Sequence, residues 1–357
     1  MRKRKISFSS INPAFYATLR KNVDEYFTTK AIKFTGNRRL YLKTIILLTL
    51  LVGLYTVLLF FTPPVWVSVI LCMILGLNLA AIGFNVMHDG AHGSYSRKPW
   101  VNEVMAYSLN LMGGSSYLWK QKHNINHHSF TNIEGLDDDI DIQPWIRTNV
   151  NQKRRWFHRY QHIYWVVLYG LTYLTWVFNK DFGKYFSGKI AHTSMKKMSV
   201  KEHFIFWISK IIYFGIFLII PIFKVGLIET IAGYSIACFV CGWTLSVVFQ
   251  MAHVVPISSF PMPNEESHKI EQDWAIHQIA TTVNFSTRSK IVSWFAGGLN
   301  FQVEHHLFPK ISHVHYPAIN KIVKEACTQF NIRYNEYVTF FGALRSHSKH
   351  LKMVGAK

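Results

Sequence analysis

Residues 44–87 read TIILLTLLVGLYTVLLFF-TPP-VWVSVILCMILGLNLAAIGFNVM. Two apolar runs, 44–61 and 65–87, flank Thr62-Pro63-Pro64. Each is long enough to cross a hydrocarbon core, which takes about 20 helical residues. Proline cannot continue a helix through its interior, so the short link ends one helix and starts the next. The stretch predicts a membrane hairpin. A second hairpin follows the same plan: run 204–223, the link 224–226, and run 227–251. Two tight hairpins of this length and apolarity argue against buried core helices of a soluble protein.

Composition agrees. Of the 357 residues 50% are hydrophobic and only 16% are charged, yet the net charge is +20. A nucleic-acid binder spreads basic residues over a polar surface. Here Lys and Arg crowd before Thr44, between Arg147 and Lys201, and after Gln250, flanking the apolar runs. That is the positive-inside pattern. The links 62–64 and 224–226 hold one Lys between them and are expected outside. The N-terminus, residues 88–203 and everything after 251 are expected in the cytosol. No apolar core follows the basic opening MRKRK directly, so it reads as a cytosolic tail and not as a cleavable signal. Two aromatic-rich segments, 162–178 and 105–119, read as helices lying in the membrane interface. Lys210, near one end of the third run, is expected to snorkel to the interface.

Histidine is the second signal. MHDGAH gives His88 and His92, KHNINHH gives His123, His127 and His128, QMAHVV gives His253, and QVEHH gives His305 and His306. Span parity puts all eight on the cytosolic face, close to the membrane. Imidazoles at i and i+4 on a helix aim at one point, which is why such pairs recur in metal sites. Eight are too many for one ion with open positions, and they fit two. Ligand type alone suits Zn, Cu, Fe or Ni. Cys238 and Cys241 lie inside a span and read as small packing residues, and Cys72 and Cys327 add no disulfide framework. The HExxH zinc-protease pattern is absent.

HDxxH, HxxxHH and QxxHH, in this order and with hairpins in these places, resemble the membrane fatty acid desaturase family. Gln302 at the head of the third box makes the chain similar to the front-end and linoleoyl-type acyl desaturases. The resemblance runs from about Leu40 to Tyr334. It implies two non-haem irons held by His88, His92, His123, His127, His128, His253, His305 and His306. It also implies O2 as oxidant and a double bond inserted into a long acyl chain linked to CoA, carrier protein or lipid. The expected fold is an all-α integral membrane protein with four transmembrane helices in two hairpins and a cytosolic helical cap holding the di-metal site. Residues 1–43 are expected as a basic cytosolic segment, 44–335 as the membrane domain and 336–357 as a basic tail.

Removing two hydrogens yields two electrons, while reducing O2 to water takes four. With no GxGxxG and no haem or flavin signature in the chain, no fused haem, flavin or nicotinamide site is expected. A separate electron donor of cytochrome b5 or ferredoxin type is therefore implied. Gln302, at i, i+3 and i+4 with His305 and His306, is expected to face the same site as a hydrogen-bonding partner or loose ligand. Asp89 is expected to orient a ligand or to cap a helix end. The run 137–141 (DDDID) reads as partners for the ligands, a contact for a positive head group, or a solvated turn. His313 and His315 read as packing or substrate contacts. His158, His162, His192, His203, His268 and His277 read as interfacial or surface residues. Trp294, Phe295, Gly297 and Gly298 are placed in the wall of an acyl tunnel. Two other readings stay open: hydroxylation at the same site, and a membrane metal-binding or transport protein. A transporter, however, places ionisable ligands at mid-membrane along a path.

Overall fold

A computed structural model describes residues 6–191 and 193–356. Among them four helices are long and apolar enough to cross a membrane: Arg38–Phe61, Val65–His92, Val200–Val225 and Leu227–His253. They match the four apolar runs, and each extends beyond its run at the end where the cap sits; the third also gains Lys224 and Val225 at its other end. The second span runs on through HDGAH, and the fourth ends on His253 itself. His88, His92 and His253 thus stand on the ends of rigid helices. Asn37 starts the first span, its side chain accepting from Arg39 N at 3.0 Å, which satisfies one of the orphan donors of a helix start. Thr62, at φ 39°, and the two prolines stop it.

The hairpins join through the second and fourth spans. Gly76 lies so close to Ala237 that a Cβ there would collide with the Ala237 carbonyl. Between helices in hydrocarbon there is no hydrophobic drive, so close small-residue packing holds them. The outward faces are apolar and open: Ile45, Phe61, Val65, Phe223 and Ile228 are all exposed. Cys238 and Cys241 are buried, unpaired thiols inside the fourth span, as packing residues should be. Lys210 does not snorkel. Its Nζ is buried and donates to Asp181 Oδ2 at 3.2 Å and to the carbonyls of Gly113 and Val177, because the cap brings a carboxylate to it.

The remaining helices close over one end of the bundle. Helix Gln161–Thr175 does not simply lie flat: its Gly170 face is sealed against Phe239 and Gly242 of the fourth span, while Ile163, Val167 and Leu171 stay exposed. The 105–119 segment breaks into short pieces around Gly113 and is tied to the third span by Asn110 Nδ2 donating to Ser209 Oγ. His158 and His277, expected near the surface, are buried, and His192 lies outside the described residues.

The two flanking segments are not tails. In helix Pro13–Thr29, Phe15, Leu19, Val23 and Phe27 recur every four residues and bury against helix Tyr316–Gln329. Ser7–Phe8 pairs in parallel with Lys269–Ile270, and Asn284–Phe285 with Glu336–Tyr337. Helix Phe340–Ala356 buries Ala343, His347 and Leu351, and His347 bridges the Val254 carbonyl and Tyr169 Oη. Basic residues made these segments read as a cytosolic segment and a tail, yet each buries an apolar stripe.

The Gly76 contact gives a direct test. Gly76→Leu should cost about 1–3 kcal/mol by overpacking. Gly53→Leu, where a Cβ meets nothing within 4 Å, should leave stability near wild type. Thermal unfolding of the two variants in detergent distinguishes a packed hairpin interface from one held by lipid alone.

Candidate metal centre

The first box rides on the second span. A π-turn, Gly83–Met87, precedes the short helix His88–His92, and the two rings lie 4.6 Å apart. The second box is not α-helical. Gln121–His127 winds as a π-helix, the irregular turn often found at functional sites. His128 N therefore bonds back to His123 O at 3.1 Å, and His123 Nε2 stands 3.2 Å from His128 Nε2. The α spacing predicted His123 over His127. The wider turn also sets His128 edge-on to His123, with centroids 4.8 Å apart, and turns all three rings inward. The third box is helix Gln302–Leu307, wholly buried.

All eight predicted imidazoles converge. His88, His92, His123 and His305 offer nitrogens within 4.8 Å of one another, and so do His127, His253 and His306. His128 groups with His305 and His306, joining the two halves. Ring centroids across the join are 4.4 Å apart for His128–His306 and 4.6 Å for His128–His305.

The hydrogen bonds sort the nitrogens. His123 Nδ1 faces Asp139 Oδ2 at 2.7 Å and His127 Nδ1 faces Asp137 Oδ2 at 2.9 Å. His305 Nδ1 meets Tyr316 Oη at 3.1 Å, and His306 Nδ1 meets Gln278 Oε1 at 2.8 Å. These partners leave the Nε2 atoms of His127, His305 and His306 buried and unpartnered, together with those of His88 and His92. A buried polar atom without a partner is costly, and each one calls for an explanation. Five imidazole nitrogens aimed at one interior fit metal ligation, and in three of the rings a carboxylate, a hydroxyl or an amide oxygen fixes the far nitrogen from behind. Burial holds His123, His128, His305 and His306 well below the ordinary imidazole range, which favours the neutral ring a metal requires. At His127 burial pulls the same way, but the Asp137 carboxylate outweighs it and raises the group. Burial pushes Asp139 up, and Lys122 with His123 overrides it and keeps the carboxylate ionised.

Gln302 does face the site: its Nε2 lies 2.9 Å from His253 Nε2. Asp89 does not orient a box histidine. Its Oδ2 accepts from Ser312 Oγ at 2.6 Å and stands 3.0 Å from His313 Nδ1, beside buried Lys43. One residue along a helix turns about 100°, so Asp89 leaves the face that carries His88 and His92. Among the aspartates of 137–141, Asp137 and Asp139 stand behind box histidines. Gln278, Tyr316 and Glu304 were not singled out by sequence. Glu304 anchors the third box from behind, accepting from Asn284, Asn320 and Tyr334, while burial pushes its carboxyl up. No local pattern marks these residues, because their partners are far away in the chain.

A cavity of 180 Å³ opens beside His88, His123 and Gln302, walled by Phe84, Met87, Trp119, Tyr173 and Phe249. Its mouth carries Lys122, Lys180, Lys184, Asp138, Asp139 and Asp141. Trp294, Phe295 and the Gly297-Gly298 pair do not line it. The glycines form a positive-φ turn pressed on the Phe84 carbonyl and on His313.

A profile of the fatty acid desaturase family matches residues 64–338. The chain is 40% identical to an acyl-lipid (8-3)-desaturase of Physcomitrium patens, over 96% of this chain and 72% of that protein. It is 37% identical to the sn-1 linoleoyl-lipid 6-desaturase of Arthrospira platensis, covering 95% and 92% of the two chains. It is 35% identical to the enzyme of the same description from Synechocystis, covering 96% and 95%.

Tyr316→Phe and Asp139→Asn remove only what lies behind a ligand. Each should weaken metal binding about 10–100-fold in a chelator competition. His306→Ala should lose metal at one position outright, read as metal content per chain. Equal metal content and affinity in all three would detach these residues from ligation.

Proposed function

The chain belongs to the fatty acid desaturase family, and from that premise we propose that it inserts a double bond near the carboxyl end of a lipid-linked, already unsaturated acyl chain. The similar enzymes are named for lipid-linked chains and, in two of the three, for linoleoyl desaturation at position 6. The observation that carries the reading is the set of unpartnered imidazole nitrogens beside an apolar cavity. The cavity mouth supports a lipid over CoA. Lys122 pairs with Asp139 and Lys184 with Asp138 at 2.5 Å, so a polyanionic carrier would meet carboxylates as well as lysines.

Two irons held by the eight histidines would supply, with O2, an oxidant strong enough for an unactivated C–H bond. His88, His92, His123 and His305 would hold one, and His127, His253 and His306 the other, with His128 between them. Asp137, Asp139, Gln278 and Tyr316 keep the rings turned inward so that little reorganisation is needed. Neutral imidazoles tolerate high metal valence and are less easily oxidised than thiolates. Phe84, Met87, Trp119 and Phe249 exclude water and fix one methylene pair at the centre. Gln302 hydrogen-bonds His253 and offers an amide where other desaturases have imidazole. Two electrons come from a separate cytochrome b5 or ferredoxin-type protein. The basic flanks of the spans support a cytosolic position for the cap, the termini and that encounter.

Gas chromatography with mass spectrometry of lipids from a host expressing the chain is the test. A new double bond at position 6 of linoleoyl lipid is expected, and a hydroxyl product or no product overturns the reading. His305→Ala and His306→Ala should abolish the product, Gln302→Ala should reduce it, and Gln302→His should retain some. Purified protein should carry two irons per chain. One tightly held zinc with full activity would refute the di-iron assignment.

A further inference from the structure

The two groups of imidazoles are supported in different ways. His88, His92, His123 and His305 form one, and His127, His253 and His306 the other. The first leans on the second span, which carries His88 and His92, and on Asp139 and Tyr316 behind His123 and His305. The second draws its rings from three segments far apart in the chain: the second box, the end of the fourth span and the third box.

Thr131 and Asn132, just past the second box, stand where those three segments meet, and both are buried. Thr131 Oγ1 donates to the His127 carbonyl at 2.8 Å. The same oxygen lies 2.9 Å from Gln278 Oε1 and 3.2 Å from His306 Nδ1, so it joins the contact that fixes the His306 ring. Asn132 N donates to Asp137 Oδ2 at 2.9 Å, the carboxylate oxygen that also faces His127 Nδ1. Its side-chain Nδ2 lies 3.1 Å from the carbonyl of His253, 3.0 Å from that of Ser259 and 3.2 Å from that of Thr281. Three carbonyl oxygens decide which end of the amide is nitrogen, since only an N–H can face them.

The residue types suit the place. The last carbonyls of an α-helix have no partner within it, and His253 is the last residue of the fourth span. Asn132 supplies a donor there and fastens the end of the span to the loop that follows the second box. Its backbone sits at φ 58°, a region asparagine enters more readily than most residues with a side chain. Between them the two residues reach His127, His253 and His306 through a carbonyl, a ring or the group behind a ring. Among the described residues neither side chain bonds to His88, His92, His123 or His305, nor to Asp139 or Tyr316 behind them.

We propose that Thr131 and Asn132 are positioning residues for one metal position only, that of His127, His253 and His306, whose three segments they hold together. The proposal rests on the reading that the cluster takes two ions. Neither residue touches metal or substrate; each acts through the histidine it fixes. Loss of either loosens that position and leaves the one built on the second span intact.

Cobalt(II), titrated into the metal-free full-length protein in detergent against a coloured chelator, reads the ions without any catalysis. Wild type should bind two. Thr131→Val keeps the shape and removes the hydroxyl, and Asn132→Asp keeps the shape and removes the donor. Each should weaken one ion about 10–100-fold and leave the other at wild-type affinity. Thr131→Ser, which restores the hydroxyl, should bind both as wild type does. Double substitutions identify the weakened ion. Adding His253→Ala to Thr131→Val should still leave one ion at wild-type affinity, whereas adding His92→Ala should weaken both. Equal weakening of both ions is the mark of a merely structural role and overturns the proposal. So do two ions at wild-type affinity in either variant, or loss at the position of His88 and His92. If one variant does not fold, the other carries the test, because each removes a different bond to the same position. Wild-type protein that binds a single cobalt refutes the two-ion reading itself, and shows it before any variant is compared.

Discussion

Eight imidazoles share one buried volume with most of their inward nitrogens unpaired. That is the most expensive feature of the molecule and the one around which the rest is arranged. Unpaired buried polar atoms cost free energy that ordinary packing does not return. The cost is tolerable only because Asp137, Asp139, Gln278 and Tyr316 fix four rings from behind and a metal fits in front. The third box is in turn held by Glu304 and its three donors. A hydrophobic core could tolerate a rotated ring; this cluster cannot.

The membrane hairpins supply the rigidity this arrangement needs. His88, His92 and His253 continue directly from spans, so their positions are set by helix packing at Gly76 and Ala237 and not by loops. The cap supplies the other five imidazoles. It is tied to the bundle by the Gly170–Gly242 contact, the Lys210–Asp181 pair and the Lys43–His313–Asp89 group. Each of these sits at the junction between hydrocarbon and cap, where a buried charge finds a partner only from the other layer. Both chain ends close the cap from outside, which explains why segments that read as polar carry strict apolar stripes.

The helices that carry the first two histidine boxes are irregular where they carry them. A π-turn precedes the first box and a π-helix carries the second. An α-helix places neighbouring histidines a fixed 100° apart, which turns one of His123, His127 and His128 away from any common point. Widening the turn removes that restriction. The same relaxation lets His128 group with His305 and His306, one from each half of the cluster, so geometry that a regular helix forbids becomes the link between the two halves.

The sequence alone determined the four spans, their hairpin pairing and the identity of the eight imidazoles. Span length and helical spacing are local properties, and a single chain displays them without reference to what lies far along it. The QxxHH spacing likewise put Gln302 on the face of His305 and His306, where it was found. Tertiary structure decided what stands behind each ring, and there local reading failed or stopped. Asp89, adjacent to His88, turned to Ser312 and His313, while Asp137 and Asp139 took the role of fixing histidines. Gln278, Tyr316 and Glu304 became partners across the fold with no mark in their own neighbourhoods. The termini joined the cap, and Lys210 found Asp181. Hydrogen-bond partners and empty volume arise only when distant segments meet, so no local pattern of residues announces them.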